Sequence, residues 1–325
     1  MINLVTGGAG FIGSHLCERL LERGDEVFVI DNLSTGSFNN IRHLKDKKNF
    51  HLVITETTDR KVLEPIIAQC DVIYHLAAAV GVMKIIAEPI RTIETNVLGT
   101  HTILTLAAKY NKKILISSTS EVYGKANSIP FKENDDCVLG PTLKSRWSYA
   151  CSKILDEFLA FAYYKEKGLP VVIVRLFNIV GPRQTGRYGM VIPRFVKQAL
   201  EGKPMTVFGD GKQSRCFLHV SEAVEALIKV TENEEAVGQV VNIGSTEETT
   251  IEELARKVKQ ITNSSSEIIY VPYDEAYETG FEDMKRRIPD ITKANKLIGF
   301  KPTKDIDFII KSIIEWVKSG GRLTI

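Results

Sequence analysis

Hydrophobic and polar positions follow two rhythms over the first 177 residues. Short apolar runs at Ile2–Thr6, Val27–Ile30, Phe50–Ile54, Asp71–Leu76, Lys113–Ser118 and Val171–Phe177 predict buried strands. Between them, Ser14–Arg23, Lys61–Gln69, Ile93–Tyr110 and Tyr149–Glu166 repeat at the helical period. In the last of these, Ile154, Leu155, Phe158, Leu159 and Ala162 share one stripe. Strand and helix in strict alternation imply a parallel sheet covered by helices on both faces. Ligands then bind beyond the carboxyl ends of the strands.

After Asn178 the rhythm changes. Gly181-Pro182-Arg183 and the Gly- and Arg-rich stretch to Gly189 interrupt it. Helices are predicted at Pro193–Glu201, Val220–Val230, Ile251–Ile261, Lys293–Leu297 and Asp305–Val317, a turn at Gly209-Asp210-Gly211, and a strand at Gln239–Ile243. Residues 178–325 read as a smaller α/β part that binds substrate. It is interleaved with the first, since 216–245 is expected to return to residues 1–177.

Composition narrows the class without choosing within it. The 325 residues are 44% hydrophobic and 25% charged, with a formal net charge of +2. That balance gives no reason to expect nucleic acid or an anionic membrane. No apolar run approaches the roughly 18 residues of a spanning helix. The first strand begins at residue 2, leaving no room for a cleaved signal, so a cytoplasmic location is expected. Five cysteines lack metal-ligand spacing, and six histidines form no cluster; no metal is expected. Cys17, Cys70 and Cys151 read as small buried residues, and no histidine pairs with Cys216.

The chemistry starts at the first strand. It runs into Gly7-Gly8-Ala9-Gly10-Phe11-Ile12-Gly13 and then a helix. Such glycines permit a tight turn and close approach of a pyrophosphate, which the helix N-terminus receives with free N–H groups and the positive end of its dipole. The second strand ends at Asp31, where a carboxylate accepts the adenosine ribose hydroxyls and repels a 2′-phosphate. The fold expected is therefore a Rossmann-type doubly wound parallel sheet, and the cofactor NAD rather than NADP.

A second motif accompanies it. Tyr149 and Lys153 stand four apart in a helix and share a face. A nearby ammonium favours the phenolate and is expected to lower the tyrosine pKa from about 10 toward neutrality. Such a tyrosine can take a proton from a sugar hydroxyl and return it.

Together these residues resemble the extended short-chain dehydrogenase/reductases that act on nucleotide sugars. The resemblance runs nearly end to end. It rests on the Gly7–Gly13 loop, Asp31-Asn32-Leu33-Ser34-Thr35-Gly36, His75–Ala78, Asn96, Ser117 to Gly124, Tyr149 with Lys153, Arg175 to Asn178, Gly181-Pro182-Arg183 and Gly209 to Arg215. It implies that NAD is held by Gly7, Gly10, Phe11, Ile12, Gly13, Asp31, Asn32, Ser34, Thr35, Gly36, Thr57, Leu76, Ala77, Ala78, Asn96, Ser117, Tyr149 and Lys153. The family usually carries Asp near the adenine after the third strand; Glu56 matches that position. In the family NAD stays bound while C4 of the sugar is oxidised to a ketone.

Two segments bear on the step that follows. Thr119-Ser120-Glu121 replaces the small residues of many epimerases and lacks the Asp-Glu pair of dTDP-glucose dehydratases. Arg287-Ile288-Pro289, with Arg286 beside it, resembles the Arg-x-Pro segment of UDP-glucuronate decarboxylases. The resemblance thus implies decarboxylation of UDP-glucuronate, with Thr119, Glu121, Tyr149, Lys153 and Arg287 at the chemistry. The loop from Val80 to Lys84 departs from those decarboxylases, and a UDP-hexose or UDP-uronate 4-epimerase is the alternative, with a dehydratase third. A non-catalytic NAD-binding sensor is disfavoured by the presence of both Tyr149 and Lys153. Ser120, Asn178, Arg187, Val191, Phe208, Arg215 and Arg287 are the expected contacts of the UDP-sugar. A homodimer through a four-helix bundle, built from the helices at Ile93–Tyr110 and Tyr149–Glu166, is the expected assembly.

Overall fold

A computed structural model describes the chain except for residues 80, 82–87, 127, 187–189, 273–274, 276–283, 285 and 324–325. The first half lays down β1 (Ile2–Thr6), α1 (Phe11–Glu22), β2 (Glu26–Asp31), β3 (Phe50–Ile54), α2 (Arg60–Gln69), β4 (Val72–His75), α3 (Pro89–Lys109), β5 (Lys113–Thr119), α4 (Trp147–Lys167) and β6 (Val171–Leu176). The second adds β7 (Ile179–Val180), α5 (Val191–Leu200), β8 (Met205–Phe208), β9 (Ser214–Cys216), β10 (Leu218–His219), α6 (Val220–Glu232) and β11 (Gln239–Ile243). It ends with β12 (Glu248–Thr250), α7 (Ile251–Thr262), β13 (Ile268–Val271), α8 (Thr292–Ile298) and α9 (Ile306–Lys318).

Seven strands form one parallel sheet in the order β11-β6-β5-β4-β1-β2-β3. The order reverses at β1, so the loops after β1 and β4 diverge and open a crevice, as a doubly wound sheet requires. The segment 220–243 supplies the edge strand β11 beside β6, with α6 packed against α1.

Alternate residues of the strands feed opposite faces. Val5, Val27, Val29, Tyr74, Leu115 and Val174 pack on one side with Leu16 and Leu20 of α1 and Val224 and Leu227 of α6. Leu4, Ile30, Ile73, Ile114, Ile116 and Ile173 pack on the other with Leu63, Ile67, Ile103 and Ala160 from α2, α3 and α4. A separate apolar cluster joins α5, α7 and α9 through Phe195, Leu254, Val258, Ile309 and Ile313. That cluster is framed by the short pairs β8/β13, β9/β12 and β7/β10. Strands this short carry no readable alternation, which is why β8, β9, β12 and β13 escape the sequence pattern.

Two local expectations change. Helix α1 starts at Phe11, earlier than the pattern suggests, so Gly13 lies inside its first turn. Cys151, expected to be buried, is exposed on α4, whereas Cys17 and Cys70 are buried. The reason is the orientation of α4: Tyr149, Ser152, Lys153, Asp156, Glu157 and Ala160 face inward. Leu155 and Phe158 of the apolar stripe are 43% and 69% exposed. Among the described residues no helix is long and apolar enough to cross a membrane.

Candidate active site

The crevice at the β1/β4 switch is a continuous cavity. Its walls include Gly7, Gly10, Phe11 and Ile12 from the first loop, and Asp31, Asn32, Ser34, Thr35 and Gly36 after β2. Glu56 and Thr57 follow β3, and Leu76, Ala77 and Ala78 follow β4. Ser117, Thr119, Ser120, Glu121, Tyr149, Asn178 and Arg287 close the far end. The expected site residues thus meet in one place, with exceptions. Gly13, Asn96, Lys153, Val191, Phe208 and Arg215 stand off its lining. Arg187 lies outside the described residues, as do Val80 and Val82–Lys84.

The glycine loop is shaped by contact. Gly7 has φ +73°, and a Cβ there would come 2.9 Å from Ala77 Cα. A Cβ on Gly13 would fall 2.2 Å from the Gly7 carbonyl oxygen. No side chain fits, so the first turn of α1 closes directly over the loop. Asp31 accepts from Ala9 N at 2.9 Å and from Leu33 N at 2.8 Å, which ties the loop to the end of β2. Burial raises the Asp31 pKa, and those two amides oppose the rise. Asn32 donates to Glu56 at 2.8 Å, joining the two polar groups at the distal end.

Polar residues buried behind the wall hold the β4 loop. Thr6 Oγ1 meets His75 Nδ1 at 2.8 Å and accepts from Ala77 N at 3.2 Å. His75 Nε2 lies 3.1 Å from Thr100 Oγ1. Burial, with the charge of Lys153, brings the His75 pKa down to about 3, so the ring is neutral. Asn96 accepts from Ala79 N at 2.8 Å and donates to Ser152 Oγ at 3.0 Å. It therefore fixes the loop to α4 from behind.

The tyrosine corrects an expectation. Tyr149 is buried, and its pKa is raised, not lowered. Burial is the largest cause, the charges of Glu121 and Asp156 add to it, and a hydrogen bond with Thr119 opposes them. The Lys153 ammonium, expected beside the phenol, is engaged with a carboxylate. Lys153 Nζ donates to Asp156 Oδ2 at 2.7 Å, with the two side chains 2% and 0% exposed. Beyond the phenol, Arg287 donates to Glu121 at 3.3 Å, with side chains 8% and 15% exposed. A phenol, a hydroxyl, a carboxylate and a guanidinium thus face one volume.

The comparisons with known proteins bear on which chemistry that volume serves. A family model described as GDP-mannose 4,6-dehydratase matches residues 4–313. The chain belongs to that family. It is 45% identical over 316 residues to the UDP-N-acetyl-alpha-D-glucosaminuronate decarboxylase of Bacillus cytotoxicus, covering 97% of both chains. It is 36% identical over 315 residues to UDP-glucuronic acid decarboxylase 1 of Xenopus tropicalis, covering 97% of this chain and 72% of that one. Among solved structures, the UDP-glucuronic acid 4-epimerase of Bacillus cereus in complex with UDP-glucuronic acid and NAD superposes with a TM-score of 0.87. The two are 29% identical, and 98% of this chain and 99% of that one are covered.

The family is one of NAD-dependent enzymes, and the crevice suits the dinucleotide. The cradle that a Cβ on Gly7 or Gly13 would fill leaves the backbone at the α1 N-terminus open to close approach, which fits a pyrophosphate. Asp31 stands at the end of β2, and each of its oxygens keeps a lone pair beyond the amide it accepts, which fits a ribose hydroxyl.

Several residues that shape this site are absent from the motif reading. Asp156 is one. Glu157 is another: it takes Arg175 through two hydrogen bonds of 2.9 and 2.7 Å and Ser118 at 2.5 Å. Arg175 also lies over the Tyr123 ring at 4.8 Å. Arg91 and Thr95 of α3 line the cavity as well. The available signal was positional. Asp156 and Glu157 lie seven and eight residues after Tyr149 and so return to its face of the helix.

Proposed function

We propose that the protein removes carbon dioxide from a UDP-linked uronate, with UDP-glucuronate as substrate and UDP-xylose or its 4-keto pentose as product. The observation that carries this reading is the Arg287–Glu121 pair, 3.3 Å apart in the cavity that also holds Tyr149 and Thr119. A uronate differs from a hexose by a carboxylate on C5, and a guanidinium fork is the side chain that matches it.

Bound NAD supplies the hydrogen acceptor at C4 and, for the pentose product, the donor. Tyr149 takes the C4 hydroxyl proton while Thr119 bonds the same oxygen. With C4 a ketone, the carboxylate on C5 is β to a carbonyl. The bond from C5 to the carboxyl carbon breaks, carbon dioxide leaves, and the electron pair passes to the C4 oxygen. Tyr149 and Thr119 stabilise the charge that develops there. Arg287 holds the carboxylate beforehand, Glu121 positions the ring or a water, and C5 of the enolate takes a proton from that water, restoring the C4 ketone of the keto pentose.

In this reading the glycine loop, Asp31, Glu56 and the β4 loop hold NAD, Lys153 and Asn96 support it from behind, and residues 178–325 carry the UDP contacts. Asn178 and Arg215 are assigned to the diphosphate, Val191 and Phe208 to the base, with Ser120 and Arg187 as further contacts. The division into residues 1–177, with 216–245 returning, and 178–325 belongs to the same proposal.

A second substrate is favoured by one observation. The Bacillus cytotoxicus relative acts on a 2-acetamido uronate and is matched over almost its whole length. Incubation with each UDP-uronate decides between them by carbon dioxide release. Conversion of UDP-glucuronate to UDP-galacturonate without gas would overturn decarboxylation in favour of epimerisation.

We also propose a homodimer in the cytoplasm. Ile90, Ile93 and Leu98 of α3 and Leu155 and Phe158 of α4 are all exposed, on two helices that pack together. A second copy would cover them as a four-helix bundle. Five free cysteines suit a reducing compartment.

A further inference from the structure

Glu121 and Arg287 belong to segments that one buried amide joins. Glu121 sits in the 3-10 turn Ser120–Tyr123. Arg287 directly precedes residues 288–290, which run beside Phe131. Phe131 N donates to Ile288 O, and Asp290 N donates to Phe131 O, each at 2.8 Å. The buried Phe131 ring stacks on the buried Tyr123 ring, with centroids 4.7 Å apart and planes within 4°. Asn242 of β11 ties these pieces together. Its Oδ1 accepts from the Tyr123 hydroxyl at 2.7 Å, and its Nδ2 donates to Phe131 O at 3.0 Å and to Asp290 O at 3.4 Å. Its backbone N–H donates to Glu133 Oε1 at 3.0 Å, which holds the loop after Phe131 as well. The side chain has no exposed surface, and its oxygen and both N–H donors are used. Gly244, two residues further on, leaves room for the clasped segment, since a Cβ there would come 3.0 Å from Pro289 Cγ. Arg286 also holds Glu248 through two hydrogen bonds of 2.8 Å, but that pair faces solvent, where ion pairs contribute little.

We propose that Asn242 is a positioning residue that sets the separation of Arg287 and Glu121, by clasping the turn that carries one and the segment that carries the other. The inference deepens the proposed function and rests on it, because the pair so spaced is the one assigned to the C5 carboxylate. An amide suits the task. It accepts from a hydroxyl and donates to two carbonyls while staying neutral in the interior. A carboxylate of the same shape would face both carbonyl oxygens with no proton to offer, and an apolar side chain would leave the Tyr123 hydroxyl and the Asp290 carbonyl without this partner. Asn242 touches neither substrate nor cofactor. It acts through Tyr123, two residues after Glu121, and through residues 288–290, which follow Arg287.

The test is Asn242→Ala in the intact NAD-loaded protein, with Tyr123→Phe, which keeps the ring stack and removes one bond of the clasp, should the first not fold. A misplacement of about 1 Å can cost about 100-fold, so kcat/KM for carbon dioxide release from UDP-glucuronate is expected to fall about 10- to 100-fold in Asn242→Ala and about 3- to 10-fold in Tyr123→Phe. Affinity for UDP, measured by calorimetry, should change less than about threefold in either. In an Arg287→Ala background the same substitutions should cost less than about threefold more, because the effect passes through the arginine. An equal loss with and without Arg287, alongside a lower melting temperature, would reduce Asn242 to a structural residue and overturn the inference. So would full activity in both variants while Arg287→Ala is impaired, and the functional reading would then stand alone. If the wild-type protein released no carbon dioxide from any UDP-uronate, that reading would fail, and a crystal structure of the variant would still decide the role of Asn242. Arg287 and Glu121 should lie beyond hydrogen-bond reach in it, and a pair kept at the wild-type distance would overturn the inference.

Discussion

Arg287→Ala is the substitution that most directly probes the proposed chemistry. The guanidinium sits 3.3 Å from Glu121 with 8% of its side chain exposed, so its removal has two consequences. The substrate carboxylate loses a charge-assisted partner, and Glu121 is left uncompensated next to a uronate of the same sign. Truncating one member of a buried, hydrogen-bonded charge pair costs about 2–4 kcal/mol in binding systems. Expressed on the barrier, that is about a 30- to 1,000-fold loss in kcat/KM, at about 1.4 kcal/mol per factor of ten. Arg287→Lys keeps the charge without the fork and should recover about a tenth to a third of wild-type activity. The assay is carbon dioxide release from UDP-glucuronate, with UDP binding measured by calorimetry as a control, since UDP has no carboxylate. The acid limb of the pH profile should move up, because an unpaired Glu121 adds to the charge that already raises Tyr149. Retention of kcat/KM within about threefold, or an equal loss in UDP affinity, would refute the assignment of Arg287 to the C5 carboxylate.

Gly13→Ala is expected to abolish NAD retention, since a Cβ there would stand 2.2 Å from the Gly7 carbonyl oxygen; the cofactor content of the purified protein reads this directly. Glu157→Gln strands the charge of Arg175 in the interior and should lower unfolding free energy by about 3–5 kcal/mol in urea denaturation, and a change below about 1 kcal/mol would show that the pair is not structural. His75 is held neutral, with its pKa near 3 against an ordinary 6.5, so the unfolded chain binds the extra proton between those values. Its contribution to stability is complete above about pH 6.5 and is lost as the pH falls toward 3, at up to about 1.4 kcal/mol per unit. His15 and His219, brought down to about 4 chiefly by burial, act in the same direction. A urea midpoint unchanged between about pH 7.5 and pH 5 would contradict this. Phe158→Glu, at a position 69% exposed on α4, should convert the proposed dimer to a monomer in light scattering; a wild-type protein already monomeric would end the dimer proposal.

What could be read without coordinates is what local periodicity and local motif determine. The strands of the sheet, β1 to β6 and the returning β11, and the helices between them follow from alternation of apolar runs and helical stripes. So does the placing of the glycine loop and Asp31 at the crevice, because a doubly wound sheet puts those loops at its switch point. Family resemblance singled out Arg287 and Glu121, but their contact joins positions 166 residues apart, and only the folded chain brings them to 3.3 Å. The short pairs β8/β13 and β9/β12 were illegible because three or four residues cannot display a period; partners distant in sequence define them. The direction of the Tyr149 pKa shift was not legible for a related reason. The four-residue spacing to Lys153 gives proximity, but a buried ammonium goes to the nearest carboxylate that burial also leaves without water. Sequence determined which groups share the helix face; tertiary packing, by excluding water and setting Asp156 and Glu121 around them, decided which groups pair and in which direction burial moves the Tyr149 pKa.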